Sequence, residues 1–104
     1  SMGYHAQTHA VFGMLADKDI DGVVAALRGH VDRWTVAPLP GPRGASAQRL
    51  ADALARAGVP PAAVRVAPDV ASAWRAAVDA AGETDRIVAF GSFLTVAAAL
   101  AADR

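Results

Sequence analysis

Polar side chains lie beside glycines in three short segments of the chain, a combination that suits the binding of an anion. In "GMLADKD" Lys18 stands between Asp17 and Asp19, five residues after a turn made possible by Gly13. Lys18 could bind a carboxylate or phosphate while its acidic neighbours hold it in place. It could equally be a solvated lysine beside Asp19, which is suited to cap a helix, and spacing alone favours this second interpretation.

The other two segments leave similar alternatives open. "PLPGPRGAS" surrounds Arg43 with three prolines and two glycines, which stiffen the loop. Arg43 could dock a carboxylate through two parallel hydrogen bonds, or it could pair with acids of the same domain. In "FGSF" the pair Gly91-Ser92 ends one apolar run and begins another. Capping of a helix by Ser92, worth roughly 1 kcal/mol relative to alanine, already explains that serine, but its hydroxyl could also contact a ligand.

Composition excludes several classes of function. The 104 residues carry no net charge and no basic run, so neither a nucleic acid nor a membrane is predicted as a partner. Cysteine is absent, which fits a cytoplasmic protein and excludes thiolate metal sites. His5 and His9 flank the first predicted strand and His30 stands alone at a helix end, so no metal site is predicted.

The elements that must position these residues alternate between short apolar runs and helical periodicity. Strands are predicted at 9–13, 33–37, 64–67 and 86–92, and helices follow Asp19, Ser46, Asp69 and Ser92. In the last helix Phe93, Val96, Ala97 and Leu100 have the spacing of one face. The pattern predicts a Rossmann-like α/β domain over residues 9–104, with a mostly parallel sheet and helices on both faces. Strand order is left open, and residues 1–8 are predicted to be a tail or an expression remnant.

Ligands of open α/β sheets bind beyond the carboxyl ends of the strands, and all three polar segments fall there. Familiar motifs are absent: the sequence has no G-x-G-x-x-G, no G-x-x-x-x-G-K-[ST] and no G-x-S-x-G. The residues alone therefore indicate a place for a site but no chemistry.

Four segments in the same order carry a resemblance to a known family. "AVFGMLADKDIDGVV", "APLPGPRGAS", "VASAWRAA" and "RIVAFGSFLTVA" resemble the C-terminal domain of the bacterial folylpolyglutamate synthase/dihydrofolate synthase family, which belongs to the Mur ligases. The resemblance covers residues 9 to 104. It implies a domain of an ATP-dependent ligase that adds L-glutamate to dihydropteroate or folates through an acyl phosphate.

The resemblance also implies roles for residues and cofactors. Ser92, Gly91 and Lys18 are expected on the glutamate side, Arg43 and Gly13 are possible anion-binding residues, and no catalytic or metal-binding residue is expected in this chain. ATP and Mg²⁺ are expected on a central ATPase domain of the full-length enzyme, so this chain should hold neither and should be inactive alone.

Two departures from the family pattern qualify these expectations. The family's domain opens with a strand and helix carrying "D-x-A-H-N-P", which this sequence lacks, and Leu94 stands where the family often has histidine. A missing first strand would leave an open sheet edge, so the chain is expected to dimerise or to swap elements. The alternative function is a free-standing Rossmann-like module that binds a small anion, a nucleotide or a protein.

Overall fold

Four strands and four helices alternate along the chain, as the sequence predicts. The computed structural model describes residues 6–103, apart from the side chains of residues 93 and 94. The elements are β1 (Thr8–Phe12), α1 (Ile20–Leu27), β2 (Arg33–Val36), α2 (Ala47–Arg56), β3 (Val64–Val66), α3 (Val70–Ala80), β4 (Arg86–Phe90) and α4 (Phe93–Ala102).

The sheet is parallel throughout, in the order β3-β2-β1-β4, which settles the question that the sequence left open. β1 therefore lies at the centre, with Ala10 paired to Trp34 of β2 on one side and to Val88 of β4 on the other. β1 begins at Thr8, one residue earlier than predicted. β3 and β4 form the two edges of the described sheet.

Helices cover both faces of the sheet, because alternate residues of each strand point to opposite sides. On one face α1 and α2 pack over a cluster centred on Phe12 and Trp34. The Phe12 and Trp34 rings lie 5.6 Å apart, and the Phe90 ring is 5.0 Å from that of Phe12. On the other face α3 and α4 pack over Val11 and Ala37. The predicted α/β architecture is thus confirmed.

Each helix begins at the side chain that the sequence predicts as its cap. The side chains of Asp19, Ser46, Asp69 and Ser92 each accept a hydrogen bond from the backbone N–H three residues later, at 2.7 to 3.2 Å. These bonds satisfy one of the free N–H groups at each helix start. Gly58 follows α2 with a positive φ of 88°, which suits a glycine at the end of a helix.

The orientation of α4 differs from the predicted one. Among the side chains of α4 that the structure describes, Thr95 and Ala99 are buried, whereas Val96 and Leu100 are 39% and 65% exposed. The side chain of Phe93, also predicted on the inner face, lies outside the described part. The predicted face was wrong because α4 is apolar on all sides, so its hydrophobic pattern does not fix which side faces the sheet. A polar contact made by Thr95, described below, does so.

None of the helices in the described part of the chain is long and apolar enough to span a membrane.

The cap of α3 makes the stability of the fold depend on pH. Hydrogen bonds from the backbone N–H and side chain of Ser72, with the nearby Arg75 charge, lower the pKa of Asp69 below its ordinary value. A carboxyl whose pKa falls on folding stabilises the fold above its unfolded pKa, near 3.9, and loses this contribution as the pH drops through the folded value.

Asp69→Asn is therefore expected to lower the free energy of unfolding at pH 7, and the difference from the parent should shrink steadily as the pH falls below the ordinary aspartate pKa of about 3.9. Urea unfolding at a series of pH values measures this. Ser46→Ala removes a cap that does not ionise, so its effect should not vary with pH in this range. A constant difference for Asp69→Asn across the series would contradict the interpretation.

Candidate functional site

The strands β1 and β4 end side by side at two glycines. The N–H of Gly13 donates to the carbonyl of Phe90 at 3.3 Å, so the two strands stay paired up to their last residues. Gly91 then turns away with a φ of +113°, and a Cβ there would overlap the carbonyl oxygen of Gly13. Gly91 is therefore required both by its backbone conformation and by this close approach.

Thr95, in the first turn of α4, joins the same place. Its side chain is fully buried and its hydroxyl donates to the carbonyl of Gly13 at 2.7 Å. A Cβ on Gly13 would lie only 3.0 Å from that hydroxyl oxygen. The Thr95 contact thus favours a glycine at position 13 and fixes α4 against the end of β1.

The hydroxyl of Ser92 is bonded twice within this group. It accepts from the N–H of Thr95 at 3.2 Å and lies 3.2 Å from the Thr95 hydroxyl oxygen. Thr95 has a single hydroxyl proton, which it gives to Gly13, so Ser92 must be the donor in the pair of hydroxyls. Ser92 is half-buried and lies at the carboxyl edge of the sheet, as predicted.

Sequence reasoning missed Thr95. The signal available was a polar residue in the otherwise apolar stretch "FLTVAAALAA" of α4. A threonine inside an apolar helix can serve a buried hydrogen bond, but only the structure identifies the carbonyl that receives it.

The loops that follow β1 and β2 are joined by main-chain hydrogen bonds. The N–H of Ala16 donates to the carbonyl of Arg43 at 2.7 Å, and the N–H of Ala45 donates to that of Met14 at 2.8 Å. Residues Leu15 and Gly44 form an antiparallel bridge between these two bonds. The loops that carry Lys18 and Arg43 therefore form one unit at the edge where Ser92 lies.

Arg43 pairs with an acid of its own domain, one of the two alternatives that the sequence left open. Its guanidinium lies 3.4 Å from the Asp17 carboxylate, and both side chains are exposed. An exposed pair of this kind contributes at most about 1 kcal/mol, so a ligand carboxylate can replace Asp17 at little cost.

Lys18 is exposed, and its expected acidic neighbours do not hold it. Asp17 contacts Arg43, while Asp19 accepts a hydrogen bond from the N–H of Gly22. Lys18 makes no ion pair with any residue in the described range 6–103. Of the two alternatives for Lys18, the structure fits the one that spacing favoured, a solvated lysine beside the capping Asp19, and its ammonium group is available to a ligand.

An apolar cleft of about 570 Å³ opens at the same edge, between the ends of β2 and β3 and the side of α4. It falls within the range of volumes typical of small-molecule sites. Sequence reasoning identified the loop but not the cleft, which depends on the packing of α4 against two separate proline-containing loops. Its lining residues include Pro38, Leu39, Pro40, Pro68, Val70 and Ala97.

Metal ligands are not grouped in the described part of the chain. No three His, Cys, Asp or Glu side chains among residues 6–103 lie close enough to hold an ion. The donor set therefore does not fit a metal held by these residues alone.

The geometry does not identify a family, but comparison with known proteins does. The family described as "Mur ligase, glutamate ligase domain" matches residues 1–93. The chain is 46% identical over 88 residues to the dihydrofolate synthase/folylpolyglutamate synthase of Escherichia coli K12, and 36% identical over 88 residues to that of Haemophilus influenzae. Each alignment covers 85% of this chain, but the chain spans only about a fifth of either relative.

Solved structures share the fold. A bifunctional folylpolyglutamate synthase/dihydrofolate synthase from Yersinia pestis, complexed with AMPPNP and Mn, superposes with a TM-score of 0.83 at 46% identity, over 93% of this chain and 22% of its own. The folylpolyglutamate synthase of Mycobacterium tuberculosis, complexed with ADP and AMPPCP, gives 0.82 at 30% identity, over 99% of this chain and 25% of its own. A further bifunctional synthase structure holds Mn, AMPPNP and L-glutamate, and its alignment covers 93% of this chain and 22% of its own at 46% identity and a TM-score of 0.83.

Removal of the Thr95 hydroxyl tests whether its hydrogen bond to the Gly13 carbonyl stabilises the fold. Thr95→Val keeps the shape but leaves the Gly13 carbonyl buried without a donor, which should lower the free energy of unfolding by about 1–3 kcal/mol. Thr95→Ser keeps the hydroxyl and should restore most of that loss. Urea unfolding of the three proteins measures both effects, and equal stability of the valine and serine variants would contradict the assignment.

Proposed function

Because this chain belongs to the glutamate ligase domain family of the Mur ligases, we propose that it is the glutamate-side domain of an ATP-dependent ligase acting on dihydropteroate or folates. The observation that carries the proposal is its 46% identity, over 85% of its length, to a dihydrofolate synthase/folylpolyglutamate synthase. The group at Ser92 lies at the sheet edge where ligands of such folds bind.

The proposed reaction joins a carboxyl group to an amine at the expense of ATP. A carboxylate oxygen of the pteroate or folate attacks the γ-phosphorus of ATP, and ADP leaves. The amine nitrogen of L-glutamate then attacks the acyl carbon, phosphate leaves, and the nitrogen loses its proton as the amide forms. Exclusion of water protects the acyl phosphate between these two steps.

The residues of this chain bind and orient glutamate in this proposal. Lys18 offers an ammonium group that no described acid neutralises, which suits a carboxylate of the amino acid. Ser92, placed by Gly91, offers a hydroxyl at the start of α4. Arg43 can exchange Asp17 for a ligand carboxylate. The anion-binding role of Gly13 stays a prediction, since its N–H already bonds to Phe90.

ATP and the divalent metal are proposed to bind mainly outside this chain. Relatives have been solved with AMPPNP and Mn and with ADP, and those proteins are four to five times as long as this chain. When bound, Mg²⁺ would offset negative charge on the transferred phosphate. No step is assigned to a metal held by the described residues, because they offer no group of ligands for it.

A cytoplasmic location, the absence of nucleic acid and membrane partners, and the inactivity of this chain by itself stay predictions of the sequence.

Substitutions at Ser92 and Lys18 test the proposal in the complete ligase. Ser92→Ala and Lys18→Gln should each raise the KM for glutamate about tenfold, because a hydrogen bond to a charged group is lost, while the KM for ATP changes little. Steady-state kinetics of ADP release at varied glutamate concentrations measures this. Arg75→Gln, on the exposed side of α3, is the matched control.

Two outcomes would count against this assignment. An unchanged KM for glutamate in both variants would remove Ser92 and Lys18 from the glutamate side. Ligase activity of the 104-residue chain alone, from ATP, folate and glutamate, would overturn the proposed division of labour between domains.

The edge strand β4 is proposed to associate with a second copy of this chain. Val88 and Phe90 pack against the cluster under α1 and α2 but remain only half-buried. An edge with unpaired main-chain groups and partly exposed apolar side chains favours pairing with another strand.

Sedimentation velocity over a hundredfold range of concentration should therefore show a reversible dimer of the 104-residue chain. Leu100→Lys, which alters the exposed side of α4, should leave the dimer intact if β4 carries the contact. A monomer at every concentration, or a dimer abolished by Leu100→Lys, would contradict the proposal.

A further inference from the structure

The hydroxyl of Thr35 has no hydrogen-bond partner among the described residues, and its oxygen is not sealed from solvent. His9, Thr35 and Thr95 are the buried polar residues among those described. His9 bonds to Asp85 at 3.0 Å and Thr95 bonds to the Gly13 carbonyl, but the hydroxyl of Thr35 makes no hydrogen bond with any residue in the range 6–103. Thr35 as a residue is only 5% exposed, but its hydroxyl oxygen reaches solvent and is therefore available to a ligand.

Thr35 lines a cleft of about 480 Å³ near the amino ends of the strands, where α3 covers the sheet. This is the end of the sheet opposite to Lys18 and Ser92, since all four strands are parallel. The volume lies in the range of small-molecule sites. The residues around the cleft that matter here are His9, Arg33, Thr35, Arg65, Ala77 and Ala80.

The register of the sheet explains why polar side chains meet in this cleft. Arg33 and Thr35 lie two residues apart on β2 and so share one face of the sheet. Thr35 pairs with Arg65 of β3, and Arg33 pairs with His9 of β1. Four polar positions thus adjoin one another on the face covered by α3.

The helix above leaves room for a ligand. Ala77 and Ala80 of α3 line the cleft, and their methyl groups are too short to fill the space over Thr35. The unpaired hydroxyl is therefore accessible from the cleft.

Both arginines retain hydrogen-bonding capacity toward this space. Arg33 donates through Nη1 to the carbonyl of Ala62 at 3.4 Å, and Arg65 donates through Nη1 to the carbonyl of Ala76 at 3.2 Å. These bonds use a minority of the five N–H groups of each guanidinium. Neither arginine forms an ion pair with a residue of the described chain.

Two carboxylates at this end of the sheet, those of Asp32 and Asp85, are engaged by main-chain groups. Asp85 accepts from the N–H groups of Gln7 and Gly82 as well as from the His9 ring, and Asp32 accepts from the N–H of Thr8. These bonds stabilise the two carboxylates where they are and leave the positive charge of the arginines unpaired.

We propose that this cleft binds an oxyanion, the phosphate or carboxylate group of a small molecule, through Arg33, Arg65 and the hydroxyl of Thr35. A guanidinium presents parallel N–H groups that match two oxygens of such a group. Thr35 supplies a third donor from the floor of the cleft. The site is separate from the proposed glutamate side and does not depend on the ligase function.

Amide chemical shifts of the ¹⁵N-labelled 104-residue chain test the proposal. Inorganic phosphate, acetate and chloride are added in turn at matched ionic strength. Saturable shifts are expected at residues 33–35, 64–66 and 77–80 with phosphate or with acetate. Saturation by phosphate alone identifies a phosphate group as the ligand chemistry, and saturation by acetate alone identifies a carboxylate.

Three variants separate the cleft from general attraction of anions to positive charge. Arg65→Gln and Thr35→Val should each weaken the saturable binding about tenfold, as the loss of one hydrogen bond to a charged group requires. Arg75→Gln removes an equal charge from α3 outside the cleft and should leave binding unchanged. Thr35→Val replaces an unpaired hydroxyl by a methyl group, so the melting temperature of the free chain should not fall.

Shifts that are linear and equal for chloride, phosphate and acetate would overturn the proposal. So would saturable shifts centred on Lys18 and Ser92, or a loss of binding in Arg75→Gln as large as that in Arg65→Gln. Anion binding should persist in Ser92→Ala, which alters the proposed glutamate side only. The result of this test therefore does not depend on the proposed ligase function.

Discussion

The hydrogen bond from Thr95 to the Gly13 carbonyl fixes the arrangement on which the candidate site depends. It is fully buried, 2.7 Å long, and spans 82 positions of the sequence. Gly91 must lack a side chain for the Gly13 carbonyl to approach, and a side chain on Gly13 would crowd the Thr95 hydroxyl. Two glycines at the ends of β1 and β4 and one threonine of α4 thus determine where α4 begins, and with it where Ser92 lies.

Much of the fold follows from local sequence, because the forces that define each element act over a few residues. Asp19, Ser46, Asp69 and Ser92 cap the helices as predicted, since a cap needs only a side-chain oxygen and an N–H three residues later. Leu50, Ala53 and Leu54 face the core because the polar residues of α2 lie together on another side, which is exposed. The alternation of strand and helix was therefore sufficient to predict the architecture.

Features that depend on distant contacts could not be predicted in the same way. Strand order requires knowledge of which edges meet, and α4 has no polar side that would give its orientation. The sequence left open whether Asp17 holds Lys18, and the structure pairs Asp17 with Arg43 instead, 26 residues away. Arg43 is brought to Asp17 by a hydrogen bond between the two loops, from the N–H of Ala16 to the carbonyl of Arg43. This bond joins main-chain atoms, so the types of the side chains do not reveal it.

The proton of the Ser92 hydroxyl connects the structural and ligand-binding interpretations of that residue. Because Thr95 gives its own proton to Gly13, Ser92 donates to Thr95 in the structure without a ligand. A glutamate carboxylate near Ser92 would compete for this proton, and a charged acceptor forms the stronger bond. Ser92 could turn toward the ligand and still accept from the N–H of Thr95, because that bond uses a lone pair and not the proton. The cap of α4 and a contact with glutamate are therefore compatible in one serine, whereas an alanine at this position would remove both.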